Sequence, residues 1–308
     1  MDTMIYPFGK GWQRSIPYLL ILPGLLIYFI VALGPSLATS VYSFTDATGI
    51  AGAPINWIGF ENYQEFLFAG QAARDNIDAL GRTIVFSIVV TAVQFGLGLI
   101  VAIVLTQGLR GTYFFRTLFF MPVILGVVIQ GLIWTLFLYP LGGPVSEVFN
   151  ALGIQSELLG GPGAFWWVIF IQIWANMGIT MIIFIAGLQT ISEELYEAAQ
   201  IDGASPWQLF RHVTWPMLTP SVNTNLLLNI IGSLQAWQLF LVITGYRPGT
   251  QVLGYVIYAQ GFGATGAANA PSRQGYAAAA SIVLFFIVLV VGLTTQTLLD
   301  RRERQILG

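Results

Sequence analysis

The sequence predicts an all-α polytopic membrane protein with six transmembrane helices, on three observations. The 308-residue chain is 56% hydrophobic and only 8% charged, whereas soluble domains carry roughly 25% charged residues. So little polar surface cannot cover a globule, so the solvent must be largely lipid. Six apolar runs lie at about 17–41, 83–106, 118–138, 165–188, 221–243 and 277–298. Each can cross roughly 30 Å of hydrocarbon at about 1.5 Å per residue. Lys and Arg are shared unevenly between the two sets of connecting loops. No soluble domain interrupts the runs, so 1–308 reads as a single transmembrane domain.

Composition also excludes chemistry. Cysteine is absent, so there is no disulfide framework, thiol nucleophile or Cys-ligated metal. The single histidine, His212, has no second histidine to share a metal and reads as a solvated helix residue. No catalytic or metal site is predicted. A net charge of -2 gives no reason to expect nucleic acid, and no Gly-rich nucleotide-binding loop is present.

The first run, 17–41, is too long for a signal-peptide core and lacks a small-residue cleavage site, so it reads as an uncleaved anchor. Pro23 and Pro35 are expected to kink it. The loop 43–82 contains Trp57-Ile58-Gly59-Phe60-Glu61-Asn62-Tyr63, with Phe60, Tyr63 and Leu67 as the apolar face of a short interfacial helix. In the second run, Gly96-Leu97-Gly98 reads as helix packing. Arg116 marks one interface of the third run, Pro122 sits in its first turn, and Trp134 and Tyr139 mark the other interface. In the loop 140–164, Val145, Val148, Phe149 and Leu152 suggest a short amphipathic piece.

The fourth run carries Gln172, Trp174 and Asn176. The fifth carries Asn223, Asn225, Asn229, Ser233, Gln235 and Gln238. Asn225, Asn229, Gly232 and Ala236 share one helix face, polar and small. Amides are costly in lipid, so that face should point at protein or water. Helix–helix packing and a substrate path both account for it.

Orientation follows from the basic residues. With both termini cytoplasmic, the inner side holds Lys10, Arg14, Arg110, Arg116, Arg211, Arg301, Arg302 and Arg304. The outer side holds Arg74, Arg82, Arg247 and Arg273. The excess favours that orientation and puts the polar stretch 189–220 in the cytoplasm. Asp300-Arg301-Arg302-Glu303-Arg304 then reads as a short cytoplasmic stop.

The stretch 192–220 is patterned as helix, turn, helix. Ser192 can N-cap a helix, with Glu193 and Glu194 at its positive end. Gly203 can take the left-handed conformation that ends it. Ser205 and Pro206 read as N-cap and N1 of a second helix, in which Trp207, Phe210 and Val213 form an apolar face. Pro216 and Pro220 are expected to break the chain before the fifth run.

These residues also resemble a family motif. Glu197-Ala198-Ala199, then Gly203, then Val213-Thr214-Trp215-Pro216 is similar to the Glu-Ala-Ala, Gly, Ile-x-Leu-Pro pattern of membrane subunits of binding-protein-dependent ABC importers. Val213 and Trp215 depart from the Ile and Leu of that pattern. The segments Gly59-Phe60-Glu61-Asn62-Tyr63, Phe119-Phe120-Met121-Pro122, Gly187-Leu188-Gln189-Thr190-Ile191 and Gly275-Tyr276-Ala277-Ala278-Ala279 extend the resemblance over nearly the whole chain. Thr244-Gly245-Tyr246-Arg247-Pro248 matches in part. The chain most resembles carbohydrate-type permeases, similar to the larger permease of maltose-type importers.

The resemblance implies a type I importer permease fold in a bacterial or archaeal inner membrane. It implies a sugar-import subunit, not itself an enzyme, paired with a second related permease. Two ATPase subunits, which carry ATP and Mg, would bind inside, and an extracytoplasmic binding protein would deliver the sugar. The 192–216 loop would be the coupling helix docked on the ATPase through Glu197, Ala198, Ala199, Asp202, Gly203, Phe210, Val213 and Pro216. The candidate sugar contacts it implies are Trp174, Asn176, Asn229, Ser233 and Gln235. Glycerol phosphate transport also occurs in this family, but no Lys or Arg lies mid-span, which favours a neutral substrate. The competing class is a secondary transporter or channel for a small polar solute. Such carriers usually hold an ionisable group at mid-membrane, and the six runs contain none.

Overall fold

The structure is a computed structural model that describes residues 10–153, 161, 163–247, 249–263 and 272–307. Pro248 and residues 154–160, part of the predicted loops, lie outside the described residues, as do the side chains of Lys10 and Arg14. Apart from one isolated bridge between Thr45 and Trp57, regular structure among the described residues is helical. Fifteen helices follow in order: α1 Lys10–Tyr28, α2 Gly34–Tyr42, α3 Glu61–Phe68, α4 Gly70–Thr106, α5 Thr112–Ile124, α6 Val127–Phe137, α7 Pro144–Ala151, α8 Gly163–Gln189, α9 Glu193–Ile201, α10 Pro206–Leu209, α11 Trp215–Met217, α12 Thr219–Leu234, α13 Gln238–Ile243, α14 Leu253–Phe262 and α15 Gln274–Leu307. Two π turns, Phe29–Leu33 and Phe210–Thr214, join α1 to α2 and α10 to α11.

Four of the described spans are long and apolar enough to cross a membrane: Pro17–Tyr42, Gly70–Thr106, Gly163–Gln189 and Gln274–Gln305. In the first of these, α1 runs on through Pro23, and the helix widens to a π turn just before Pro35, whose missing N–H an unbroken α-helix would require. The predicted third run is not straight. α5 and α6 meet at Leu125–Gly126 with a bend of 100°, and both of those residues are extended. Gln130 closes the corner by donating to the carbonyls of Pro122 and Leu125, each at 2.9 Å. The predicted fifth run, 221–243, is interrupted as well. α12 ends at Leu234 and α13 starts at Gln238, with Trp237 at φ −150.

Other boundaries also move. Residues 70–82, placed in a loop by their charge, form the first turns of α4. In α3 the buried side chains are Asn62 and Phe66, whereas Phe60 is 66% and Leu67 41% exposed. The short helix is therefore held by Phe66 in an apolar cluster and by a polar anchor that includes Tyr63, while Phe60 and Leu67 of the predicted face stay exposed. Asn62 Nδ2 donates to the carbonyls of Ser43 and Thr45, and Tyr63 donates to Ser43 Oγ at 2.7 Å. In the 140–164 loop, Val145 and Phe149 of α7 pack on the core, while Val148 and Leu152 are exposed.

The core is built on α4, α8 and α12. One apolar cluster, with Phe86, Val90, Phe165, Val168, Phe240 and Tyr255, lies at the end carrying α13 and α14. A second, with Leu99, Ala102, Met181, Phe184, Leu218 and Val222, lies at the end carrying α9 to α11. Gly98 lets α4 and α8 approach: a Cβ there would sit 2.5 Å from Thr180 Cγ2, whereas one at Gly96 would meet nothing within 4 Å. Packing therefore accounts for one glycine of the pair.

Candidate functional site

Two places carry the predicted functional residues: a helical elbow between α8 and α12, and a polar seam between α4, α8 and α12.

The shape of the elbow is set by local bonds. Ser192 occupies the N-cap position of α9 with extended backbone, but its side chain makes no capping bond. Glu193 and Glu194 lie in the first turn, where the helix dipole favours them. α9 ends in a Schellman motif. Gly203 N–H donates to the Gln200 carbonyl and Ala204 N–H to the Ala199 carbonyl, both at 3.0 Å. The motif needs a left-handed residue, and Gly203 supplies it at φ +79. α10 then opens with a capping box: Ser205 N–H donates to Gln208 Oε1 at 2.7 Å, and Gln208 N–H to Ser205 Oγ at 3.4 Å. The Ser-x-x-Gln spacing that marks this box is legible in the sequence.

The prolines correct the reading of this stretch. Pro216 lies inside α11 and Pro220 in the first turn of α12, so neither breaks the chain. The wider π turn 210–214 precedes Pro216, and Pro220 occupies a position where a missing N–H costs little. From Pro206 to Leu234 the backbone is close to one continuous helix, with a π turn at 210–214 and a single turn residue at Leu218. Tyr196 Oη and Thr214 Oγ1 share a hydrogen bond of 3.0 Å that ties α9 to the π turn. Phe210 lies between Trp207 and Trp215, at 5.6 and 6.1 Å between ring centroids.

The elbow displays a mixed surface. Glu197, Ala198, Asp202 and Gly203 are exposed, while Ala199, Phe210, Val213 and Pro216 are half-buried. Ile201 is 86% and Trp207 65% exposed. Large apolar side chains held outward on a polar, well-capped turn suit a protein partner.

The polar seam brings together three of the five candidate sugar contacts. Asn176, Asn229 and Ser233 line a cavity of about 130 Å³ with Gln94 and Gln172. Gln235 lies apart, at an adjoining cavity of about 290 Å³ beside the α12–α13 break, where Gln172 and Gly232 also contribute. Trp174 lines neither cavity and stacks edge-on with Trp134 at 5.5 Å. It lies two residues before Asn176, which turns it about 200° away around the helix.

The hub is Gln94, which the sequence reading passed over. Its Nε2 donates to Asn229 Oδ1 at 2.7 Å and to Thr180 Oγ1 at 3.0 Å. Asn225 Nδ2 donates to the Thr180 carbonyl at 3.4 Å, and Ser233 Oγ to Ser87 Oγ at 2.8 Å. The fifth-run polar residues divide between packing and cavity lining. Asn225 is buried in helix packing, and Asn229 and Ser233 both pack and line the cavity. A lone amide in an apolar run was the available signal for Gln94.

Among the described residues no group of His, Cys, Asp or Glu could hold a metal ion.

Comparison with known proteins identifies the family. The chain is 28% identical to a probable starch degradation products transport system permease protein of Thermoanaerobacterium thermosulfurigenes, covering 96% of this chain and 98% of the relative. It is 32% identical to a multiple sugar-binding transport system permease protein of Streptococcus mutans, covering 91% and 92%. A chain from the crystal structure of a bacterial ABC transporter that imports the acidic polysaccharide alginate has the same fold, with TM-score 0.79 at 23% identity over 97% of this chain and 99% of that one. Residues 94–305, from the amide hub into the last turn of α15, match the model of one family. The chain therefore belongs to the binding-protein-dependent transport system inner membrane components.

Proposed function

We propose that this chain is one of two permease halves of an ATP-driven importer of a neutral sugar. In this reading the elbow 192–216 is the handle by which a separate ATPase moves the spans. The single observation that carries it is the capped, apolar-studded elbow at one end of the bundle, with Ile201 and Trp207 held outward. A short helix fixed by a Schellman motif and a capping box transmits displacement, where a floppy loop would absorb it.

The spans would be six, with α5–α6 and α12–α13 each a broken crossing and both termini cytoplasmic. Closure of two ATPase subunits, which bind ATP and Mg, would draw the docked elbow and rock the spans outward-open. An extracytoplasmic binding protein would then release sugar into the seam, and hydrolysis would reset the state. The relatives named as sugar permeases support this substrate class. So does the seam: both cavities are lined by amides, a serine and apolar groups, with no charged side chain. Asn176, Asn229, Ser233 and Gln235 would hydrogen-bond hydroxyls, and Trp174 would act at most through Trp134.

The test is reconstitution with the second permease, the ATPase and the binding protein. Glu197→Lys should leave the chain inserted and abolish the stimulation of ATP hydrolysis by loaded binding protein. Wild-type stimulation in that variant, or a wild-type chain that retains no ATPase on purification, overturns the proposal.

A further inference from the structure

The last turns of α15 reach the root of the elbow and touch it at Trp215 and the following α12 at Asn223. The Arg302 guanidinium carbon lies 5.8 Å from the centroid of the Trp215 ring, a cation–π distance. One residue on, Glu303 Oε2 accepts from Asn223 Nδ2 at 2.6 Å, a hydrogen bond strengthened by the carboxylate charge. Asn223 is buried, and its Oδ1 has no partner among the described residues, so the Glu303 contact, through Nδ2, is the one bond that holds its side chain. Leu299, one turn earlier, is buried on a helix whose lipid-side neighbours Leu293 and Leu298 are exposed.

These contacts extend those inside the elbow. Tyr196 ties α9 to the π turn, Phe210 joins Trp207 to Trp215, and Trp215 meets Arg302. The series runs unbroken from the exposed tip to the last span. At its other end α15 is also tied down. Arg273, just before its first turn, pairs with Glu65 through its two terminal guanidinium nitrogens, and Tyr276 accepts from Asn76 at 2.7 Å.

We propose that Arg302 and Glu303 are positioning residues for coupling: they clasp Trp215 and Asn223, so that α15 moves as one body with the elbow and carries its displacement to the opposite end of the bundle. This rests on the elbow being the ATPase handle. Trp215 is the large departure from the motif described above, and the clasp gives its ring a use that a leucine could not serve.

The chain has no cysteine, so spin labels can be placed at will. Two pairs are measured in the assembled complex with and without a non-hydrolysable ATP analogue: Glu194→Cys with Gln305→Cys, and Glu194→Cys with Tyr113→Cys on α5. In the otherwise wild-type chain the 194–305 distance should stay constant while the 194–113 distance changes. Arg302→Ala and Trp215→Leu should each let 194–305 change with nucleotide, and Arg302→Lys and Trp215→Phe should restore constancy. If 194–113 changes and 194–305 changes equally in the wild type, the clasp is refuted while the handle stands. If Arg302→Ala and Trp215→Leu both leave 194–305 constant, the clasp is likewise refuted. If 194–113 never changes, the handle itself fails and the clasp with it.

Discussion

Gln94 on α4 donates to Asn229 on α12 at 2.7 Å, and the same nitrogen reaches Thr180 on α8 at 3.0 Å. One amide thus pins three helices at the wall of the cavity proposed to pass sugar. Gln94→Leu keeps the volume but leaves Asn229 Oδ1 without its donor. Interhelical hydrogen bonds in membranes are worth about 0.6 kcal/mol on average, and an unsatisfied buried partner raises the cost to about 1–2 kcal/mol. Thermal unfolding in detergent should show the loss. Gln94→Glu should be worse, because it places an acceptor against Asn229 Oδ1.

The same contact surface predicts a contrast between two glycines. Gly98→Ala drives a methyl into Thr180 Cγ2 and toward the Met181 backbone nitrogen. Overpacking of this kind costs about 1–3 kcal/mol, and it displaces the hydroxyl that Gln94 holds. Gly96→Ala meets nothing within 4 Å and gains helix propensity of about 1 kcal/mol. Gly98→Ala should therefore lower the unfolding temperature, and Gly96→Ala should leave it unchanged or raise it. Equal effects would show that α4 and α8 do not approach here.

Which features were legible beforehand has a physical logic. The elbow was readable because its determinants are local: Gly203 after a helix, and Ser205 before Pro206, dictate backbone angles whatever surrounds them. Long apolar runs were readable because lipid selects for length and hydropathy. Direction was not readable. The 100° bend at Leu125–Gly126 leaves hydropathy unaltered, and it is set by Gln130 turning back on two carbonyls. The break before Trp237 is equally silent, since Gly232 to Gln238 could as well continue a helix. Pro216 misled because its cost depends on the turn before it, and the π turn 210–214 absorbs the missing donor. Gln94 and Thr180 were passed over because their importance lies in partners more than forty residues away.

The loop after α2 is expected to respond to pH. The Asn56 backbone N–H donates to Asp46 Oδ1 at 2.7 Å, and its Nδ2 to Oδ2 at 2.9 Å. Both bonds favour the ionised form and hold the Asp46 carboxyl below its ordinary value of 3.8. A depressed folded value means the stabilisation is complete above the ordinary carboxylate range. It is lost as pH falls through the lowered folded value. Limited proteolysis within 46–56 should therefore accelerate below about pH 4 relative to pH 6. Asp46→Asn should be cut at the same rate at both, and a pH-independent wild-type rate would contradict the assignment.

Gly203 offers the sharpest separation of shape from chemistry in the elbow. Its φ of +79 is left-handed, and a Cβ there would meet nothing within 4 Å. Space is therefore not the constraint, and only the backbone angle is. Gly203→Asn should keep the Schellman motif, since asparagine tolerates that region at modest cost. Gly203→Val should cost about 1–2 kcal/mol locally, and Gly203→Pro cannot adopt the angle at all because its ring locks φ near −65°. If the elbow is a handle, binding-protein-stimulated ATP hydrolysis should rank glycine, then asparagine, then valine, with proline lowest, while membrane insertion stays constant across the four. Stimulation that tracks side-chain size instead would mean that the ATPase reads the surface at this turn and not the direction in which α10 leaves it.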